Sequence, residues 1–340
     1  MRWTRLLLGA VAALLLPHGG FAIPAPGGGG SVSRGVSSHC DRDCMTVIVD
    51  GILNSLVAHD PYSLPLAQIY RATENSHPAA LHMMTLWRTV TRADGPNLLA
   101  IDTKNGSAYF ALDISEGSDE RQSVLWARIK VSNREITELE LYVNRNRGDH
   151  GFSFSPKELP KNYLRWMNPP SDRTKASRTQ LESLGAAIFN TNSTFSVTVA
   201  SDCQFTEEGW TVIDPGPDRN ESYAPVACSW TNTRPTDSKA RTNLVIDEEF
   251  GIVVTGAVIP GKVYPYGNIS AFIPNHMTSA QELQQEWFEV KKSEGAQLLL
   301  NPTSASGETL QVLQYYNNSL QGQQVMLYLS GPDMESAWVQ

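Results

Sequence analysis

The chain contains one short hairpin pattern twice, and this repeat constrains the fold more than any other feature of the sequence. The first copy, Ile101-Asp102-Thr103-Lys104-Asn105-Gly106, leads into an apolar run that ends at Ile114. The second copy, Ile246-Asp247-Glu248-Glu249-Phe250-Gly251, aligns with the first without a gap. An aspartate in a turn can accept hydrogen bonds from the turn backbone, and glycine fits where φ must become positive. Each copy therefore predicts two antiparallel strands joined by a tight turn, and the repetition predicts two related halves.

A helix is expected ahead of the strands in each half. Between residues 43 and 58, apolar residues recur at helical spacing. This helix ends before Asp60-Pro61, because a residue that precedes proline avoids helical geometry. In the second half, Thr179 and Glu182 have the spacing of a capping box and predict the start of the corresponding helix.

A second, longer hairpin follows the first copy of the repeat. Ser123–Val131 alternates between apolar and polar residues, and the alternation resumes at Ile136–Val143. In the second half, we expect Glu286–Val290 and Leu298–Leu300 to form the corresponding hairpin. Residues 303–340 are then a strand-rich extension.

These elements predict an α+β fold of two tandem cone-shaped domains, each a helix packed in a curved antiparallel sheet. The first domain covers 39–147, a proline-rich linker covers 148–176, and the second domain covers 177–340. Thr206-Glu207-Glu208 corresponds to Thr73-Glu74-Asn75, which supports the same strand order in both. A sheet wrapped round a helix leaves a cone open at one end, and such a cone forms an apolar pocket.

The N-terminus has the composition of a secretory signal peptide over residues 1–22. Arg2 and Arg5 precede the apolar run Leu6–Leu16, and small residues follow. This run is too short for the roughly 20 residues that span a bilayer, so we expect no stable membrane anchor. Residues 23–38, with four consecutive glycines, are expected to form a flexible leader.

Composition excludes a polyanionic partner. The formal net charge is −8, and no cluster of lysine and arginine is present, whereas nucleic acids are held by such clusters. An apolar content of 41% with 18% charged residues is typical of a globular chain with a sizeable core.

The cysteines and glycosylation sequons agree with an oxidising compartment. Four cysteines give an even count, and Cys40 and Cys44 lack the second pair of ligands that a metal site needs. We therefore expect a Cys40–Cys44 disulfide, with Cys203–Cys228 as the second bridge. Five Asn-x-Ser/Thr sequons predict glycosylated surface positions: Asn105, Asn192, Asn220, Asn268 and Asn317.

The order of helix and curved sheet resembles the SnoaL-like, or nuclear transport factor 2-like, family. The residues that carry this resemblance are the hairpin aspartate and glycine, Trp126–Val131 and Ile136–Glu140. A narrower resemblance, to secreted fungal tandem-cone proteins, rests on Cys40–Cys44, Asp60–Ala67 and Val245–Gly251. Together they cover roughly residues 40–300. The family includes isomerases and cyclases, and within it the chain is similar to Diels–Alderases of fungal natural-product pathways.

Recognisable motifs for covalent or cofactor chemistry are missing from the sequence. There is no G-x-S-x-G elbow, no H-E-x-x-H, no P-loop and no G-x-G-x-x-G, so we expect no cofactor. His77 and His82 are five residues apart, a spacing that matches no standard metal pair, and we expect no metal site.

The candidate catalytic residues are Glu74, His82 and Tyr70, which fall near the predicted pocket wall. A carboxylic acid on a strand that enters an apolar cone can have its pKa raised and can then act as an acid or a base. His82 or Tyr70 can polarise a substrate carbonyl.

The candidate substrate-binding residues are the aromatic side chains Trp87, Trp126 and Tyr109. Glu207, Asp247 and Trp230 are the second-half counterparts of the candidate residues. For the tryptophans the alternative is core packing. For Asp102 and Asp247 the alternative is ordinary turn chemistry, and the exposed sequon at Asn105 favours turns that point outward.

Two functions are consistent with this pattern. The first is a cyclase or isomerase of fungal secondary metabolism that folds a terpenoid or polyketide in an apolar pocket for an intramolecular Diels–Alder reaction. Such a reaction needs mainly proximity, which is worth ~7 kcal/mol or more in favourable cases. The second is a non-catalytic secreted protein that binds a lipophilic small molecule. Both predict a lipophilic small-molecule partner, and the oligomeric state stays open.

Overall fold

The computed structural model describes most of the chain from residue 39 onwards. The described residues are 39–145, 155–211, 213–214, 224–225, 227–232, 234–266, 269–276 and 301–339, with short stretches between 282 and 294. The predicted signal peptide and leader, and the sequons at Asn220 and Asn268, lie outside them. The described residues form one compact α+β unit with two curved sheets.

The first half contains one long helix and seven strands. Its helices are α1 (Arg42–Ala58) and the single turn α2 (Leu86–Thr89). Its strands are β1 (Leu66–Glu74), β2 (His77–Pro78), β3 (Val90–Ala93), β4 (Leu98–Asp102), β5 (Ser107–Glu116), β6 (Arg121–Ser132) and β7 (Glu135–Arg145). They form a sheet in the order β2-β1-β7-β6-β5-β3, with β4 also paired to β5.

The second half repeats this arrangement after an intervening helix. That helix is α3 (Leu159–Met167), and α4 (Arg178–Ala187) is the counterpart of α1. The strands are β8 (Val199–Glu207), β9 (Trp210–Thr211), β10 (Ile213–Asp214), β11 (Ala224–Pro225), β12 (Arg241–Asp247), β13 (Ile252–Tyr266), β14 (Ile269–Pro274), β15 (Thr303–Tyr316) and β16 (Ser319–Ser330). The large sheet has the order β12-β13-β15-β16-β8-β9, with β14 paired to β13, while β10 and β11 pair separately.

Each sheet is mixed, which corrects the prediction of wholly antiparallel sheets. β1 lies parallel to β7 with Thr73 opposite Glu140, and β8 lies parallel to β16 with Thr206 opposite Gln324. These strands are distant in sequence, so hairpin patterns carry no information about their pairing. The shared register places Thr206-Glu207 where Thr73-Glu74 lie, as the sequence predicted.

The predicted position of the second long hairpin was wrong. The counterpart of β6 and β7 is the hairpin of β15 and β16, so residues 303–330 belong to the second sheet and are not an extension. Within the stretch predicted to form that hairpin, Glu286, Glu289 and Val290 are helical, and residues 287–288 and 295–300 lie outside the described part. The predicted linker also contains structure, since α3 lies within it.

The helix α1 forms as its apolar spacing predicts, and both of its ends are capped. The Asp41 side chain accepts a hydrogen bond from the Cys44 N–H at 2.9 Å, which satisfies a free donor of the first turn. His59 caps the end of the helix in the left-handed conformation with φ 56°, so the helix ends at Ala58, as predicted. The Cys40–Cys44 disulfide ties the chain ahead of the helix to its first turn.

Each sheet has an inner face, which carries its helix, and an outer face, which meets the other sheet. On the first inner face, apolar residues of α1 pack with alternate residues of β5, β6 and β7. On the second, Leu181 and Leu184 of α4 are fully buried. The outer faces pack together with Leu159, Tyr163 and Trp166 of α3 in one shared apolar cluster. The molecule is therefore layered as helix, sheet, sheet and helix.

Both repeated hairpins form the predicted turns. Asp102 and Asp247 each accept hydrogen bonds from the backbone N–H groups two and three residues further on, at 2.9–3.2 Å. Gly106 and Gly251 have φ of 61° and 68°, the left-handed region that favours glycine. The predicted hairpin turns are therefore confirmed.

The same two carboxylates also join the halves. Asp102 accepts two hydrogen bonds from Arg178, at 3.0 and 2.8 Å, and Asp247 accepts one from Arg42 at 2.7 Å. Each also accepts from the backbone N–H of the residue before the other aspartate, at 3.2 and 2.8 Å. Arg42 and Arg178 are the first residues of α1 and α4, so each half supplies one aspartate and one arginine. We call these contacts the reciprocal ion pairs.

The reciprocal ion pairs correct the expectation that the repeated turns point outward. Asn105 is exposed, but the side chains of Asp102 and Asp247 are both 0% exposed. The aspartates therefore serve as turn residues and as the contact between the halves.

The cysteines and sequons agree with the sequence interpretation. The structure contains Cys40–Cys44 and Cys203–Cys228 disulfides, and Asn192 and Asn317 are exposed, as is Asn105. No described helix is long and apolar enough to cross a bilayer.

Candidate functional site

Glu74 lies at the end of β1, where it holds the start of α2. Its Oε1 accepts from the Thr85 N–H at 3.1 Å and from the Thr85 hydroxyl, and its Oε2 accepts from the Leu86 N–H at 2.9 Å. A carboxylate with three donors at a helix start is well suited to capping. The contacts of Glu74 are those of a structural residue.

The two other predicted catalytic residues lie near the surface of the first half. His82 is exposed, with its Nδ1 3.4 Å from the hydroxyl of Tyr62, which is also exposed. Tyr70 is half-buried against the edge of the first core. Within the described residues, no hydrogen bond joins Glu74, His82 and Tyr70 to one another. The structure does not bring the predicted set together.

Trp87 packs inside the first half, on the inner face. Its side chain is buried, and its indole N–H donates to the Ser55 hydroxyl at 3.1 Å. The inner-face residues of β5, β6 and β7 around it are apolar and buried. Trp87 therefore fills the first cone, in line with the core-packing alternative. Its predicted counterpart, Trp230, is only partly buried, and Arg234 lies 4.6 Å above its ring.

Tyr109 and Trp126 lie on the outer face of the first sheet, between the two sheets. This corrects the expectation that they line the interior of the first cone, because alternate residues of a strand point to opposite faces. Both are fully buried, yet the Tyr109 hydroxyl and the Trp126 indole N–H have no hydrogen-bond partner among the residues that the structure describes. Burial raises the pKa of Tyr109, so the phenol is neutral and available as a donor.

Glu208 is a buried carboxylic acid in the same layer. It follows β8 in a turn with Gly209, and its backbone N–H donates to the Val325 carbonyl at 2.9 Å. Its Oε1 accepts from the Asn144 amide, and its Oε2 has no hydrogen-bond partner in the described part of the chain. Burial, together with the negative charge of Glu207, raises the pKa of Glu208 well above its usual range, and the Asn144 hydrogen bond opposes this shift. Burial therefore favours the protonated form of this carboxyl, which can donate a hydrogen bond.

Tyr163 of α3 lies in the same apolar cluster as Tyr109 and Trp126. Burial raises the pKa of its hydroxyl, and Tyr109 and Glu208 add to this shift. The hydroxyl itself lies 3.8 Å from the Met326 sulfur. We call Glu208, Tyr109, Trp126 and Tyr163 the intersheet donor group. Tyr109, Trp126 and Tyr163 belong to the shared apolar cluster.

A second set of buried polar residues lies on the same outer face of the first sheet and is fully paired at its centre. Glu140 accepts from Arg128 at 2.7 Å, from Arg241 at 3.0 and 2.7 Å, and from the Tyr142 hydroxyl at 2.9 Å. Burial raises the pKa of Glu140, but the two guanidinium groups outweigh it and lower the pKa to about 2. The Trp338 ring packs on Arg128 at 5.0 Å and closes this end of the layer. These contacts are structural.

One feature of the sequence marks Glu208 as unusual. The turn after β8 corresponds to the turn after β1, so Glu208 stands where the first half has Asn75, and both residues have positive φ near 50°. An asparagine suits such a turn, whereas a glutamate there is unusual. The candidate residue predicted from the sequence is the neighbouring Glu207, the counterpart of Glu74.

Comparisons with known proteins leave the family open. No protein-family model and no curated protein matches the chain. Among solved structures, a de novo designed protein with a curved β-sheet matches with a TM-score of 0.26 and 13% identity, over 37% of this chain and 98% of that chain. This similarity is too low to support an argument. Among the described residues, no group of three or more histidine, cysteine, aspartate or glutamate side chains is placed to hold a metal ion.

Proposed function

We propose that the chain is a cofactor-independent cyclase that catalyses an intramolecular Diels–Alder reaction of an unsaturated terpenoid or polyketide beside the intersheet donor group. The observation that carries this proposal is the fully buried Glu208 carboxyl, whose pKa is raised and whose Oε2 has no hydrogen-bond partner among the described residues. An unsatisfied buried polar group costs ~1–3 kcal/mol, and a substrate carbonyl would offset that cost.

The chemistry fits these residues. In an intramolecular [4+2] cycloaddition two carbon–carbon σ bonds form while three π bonds become one, and no proton or electron is gained or lost. A donor to a carbonyl conjugated with the dienophile withdraws electron density and lowers the barrier. Glu208 would give this hydrogen bond, with the Tyr109 hydroxyl and the Trp126 N–H as further donors. Donors fixed in a water-excluding layer need no reorganisation during the reaction.

The proposal also includes a family and a cellular compartment. We propose that each half is a SnoaL-like cone, because each has a helix on the inner face of a curved sheet with the same strand order. We also propose that the chain is a secreted glycoprotein. Its two disulfides and the exposed sequons at Asn105, Asn192 and Asn317 agree with the secretory pathway.

The test uses the uncyclised precursor that accumulates when the gene is deleted. The purified protein should convert this precursor into an isomer of equal mass, detected by liquid chromatography and mass spectrometry. Glu208→Leu removes the donor and should lower the rate about 10²–10³-fold, whereas Glu208→Gln keeps an uncharged donor and should retain more activity. Glu74→Gln is the matched control and should leave the rate per folded molecule unchanged.

Two results would reject the cyclase. The precursor remains linear in the presence of the protein, or Glu74→Gln lowers the rate while Glu208→Leu does not. Native mass spectrometry that recovers the precursor bound but unaltered would identify the protein as a non-catalytic binder of lipophilic molecules.

A further inference from the structure

The inner faces of the two sheets can be compared position by position. Ser107 pairs with Lys130 next to the first repeated turn, and Ile252 pairs with Gln314 next to the second, so the strands share one register. A bulge follows in β6 and β7 and in β15 and β16 at the same place. Residues of β13, β15 and β16 therefore have defined counterparts in β5, β6 and β7.

The chemistry at these positions differs between the halves. In the first half the inner-face residues Phe110, Leu125, Ala127 and Leu139 are apolar and fully buried. Their counterparts in the second half are, in the same order, Thr255, Thr309, Gln311 and Gln323. One half has a hydrocarbon interior, and the other has a polar group at each of the four places.

Most of these polar groups have no hydrogen-bond partner within the part of the chain that the structure describes. Thr255 donates to the Gly185 carbonyl at 3.2 Å, but the Thr309 hydroxyl and the side-chain carbonyl oxygens of Gln311 and Gln323 are buried there without a hydrogen bond. Thr309 is 1% exposed and Gln311 is 7% exposed. Each unmade hydrogen bond costs stability that the apolar first half does not lose. Buried polar groups without a partner are uncommon in native proteins, so each of these groups needs a specific explanation.

The helix on the inner face is shorter in the second half. Helix α1 has 17 residues, whereas α4 has 10. Thr255 is smaller than the Phe110 side chain that it replaces, and Trp230 is only partly buried where Trp87 fills the first half. Around the polar positions the walls are apolar, with Leu184, Val253 and Leu313 all buried. Apolar walls with a few convergent polar groups are the usual composition of a small-molecule site.

We propose that the inner face of the second sheet is a binding site for a neutral, mainly hydrocarbon molecule that carries hydroxyl or amide N–H donors at one end. The four polar residues are uncharged, so they favour a neutral ligand. Two of the three unpartnered atoms are amide oxygens, which accept hydrogen bonds, so the ligand must donate. This site is distinct from the intersheet donor group, because it lies on the opposite face of β15 and β16. It does not depend on the proposed cyclisation.

The experiment uses retinol, a fluorescent apolar polyene with one hydroxyl, as the probe. Titration of the full-length secreted protein, followed by retinol fluorescence, should give saturable binding. Retinyl acetate, which lacks the donor, should bind at least 10-fold more weakly, and so should the anionic retinoic acid.

The decisive variant gives the second half the residues of the first: Thr309→Leu, Gln311→Ala and Gln323→Leu together. It should bind retinol at least 10-fold more weakly and unfold at a higher temperature than the wild type, so lost binding cannot be ascribed to misfolding. Glu208→Gln should leave the dissociation constant of retinol unchanged, which separates this site from the cyclase proposal. The proposal is overturned if the wild type does not bind retinol, if the triple variant binds it equally well, or if retinyl acetate binds as tightly as retinol.

Discussion

Replacing Asp247 by alanine is expected to lower the free energy of unfolding by about 3–4 kcal/mol. The variant loses a charge-assisted hydrogen bond from Arg42, worth ~1.5–3 kcal/mol, and leaves the buried Ile101 N–H without an acceptor, at a cost of ~1–3 kcal/mol. Breaking a buried ion pair costs ~3–5 kcal/mol in general. The Arg42 side chain is 35% exposed, so water can solvate it after the substitution, and the loss falls in the lower part of that range.

The matched control is Glu248→Gln, at the next position in the same turn. Glu248 pairs with Lys104 at 2.7 Å and more distantly with Arg178 at 3.6 Å. The Glu248 and Lys104 side chains are 38% and 61% exposed, and Arg178 keeps both hydrogen bonds to Asp102, so this change should cost less than about 1 kcal/mol. Asp247→Asn keeps one acceptor and should fall between the two. Equilibrium urea unfolding, followed by tryptophan fluorescence, measures all three. An Asp247→Ala variant no less stable than Glu248→Gln would refute the role of the reciprocal ion pairs.

Three further outcomes follow from other contacts. Gly251→Ala should lower the free energy of unfolding, measured by thermal unfolding, by at least about 2 kcal/mol, because the φ of Gly251 is 68° and the new Cβ would lie 2.4 Å from a backbone oxygen. Gly117 has a similar φ but open space around it, so Gly117→Ala should lower this free energy by about 1 kcal/mol. The pKa of Glu140 is lowered to about 2 in the folded protein. This shift adds roughly 3 kcal/mol to the free energy of unfolding. The added stability is complete above the unfolded-state pKa near 4.3 and is lost as the pH falls through about 2. Glu140→Gln should remove that part of the pH dependence of unfolding; an unchanged acid limb would contradict it. Replacing Cys203 and Cys228 by alanine should lower the free energy of unfolding in urea by about 3 kcal/mol, because this disulfide joins residues 25 positions apart. Loss of the Cys40–Cys44 disulfide, which joins residues 4 positions apart, should lower it less.

Local patterns in the sequence predicted the repeated hairpins, both principal helices and the twofold repeat, because turn residues and helical spacing act over a few positions. The predicted capping box of α4 was wrong by two residues, since Ser177 and Gln180 form it instead of Thr179 and Glu182. The second long hairpin escaped the same reasoning. Thr309, Gln311 and Gln323 are polar residues on the buried face of β15 and β16, so apolar and polar residues do not alternate there as in an ordinary half-buried hairpin. The polar residues that kept β15 and β16 from being predicted are the same residues that we assign to a ligand site.

The intersheet donor group could not be predicted because it depends on packing between elements distant in the chain. Trp126 and Glu208 were each visible as aromatic or acidic residues, but their meeting requires the outer faces of the two sheets to pack with α3. The sequence reading instead assigned Trp126 to the first pocket. In a cone the inner and outer faces alternate along each strand, so an error of one residue moves a side chain into a different layer.

The reciprocal ion pairs make each half self-complementary. The first half supplies Asp102 and Arg42, and these occupy the same places as Asp247 and Arg178 in the second half. Two copies of residues 39–145 could therefore form both contacts across an isologous interface, with Asp102 of each copy binding Arg42 of the other. The tandem chain has the contact pattern of a twofold dimer, and joining the halves covalently makes that association independent of concentration.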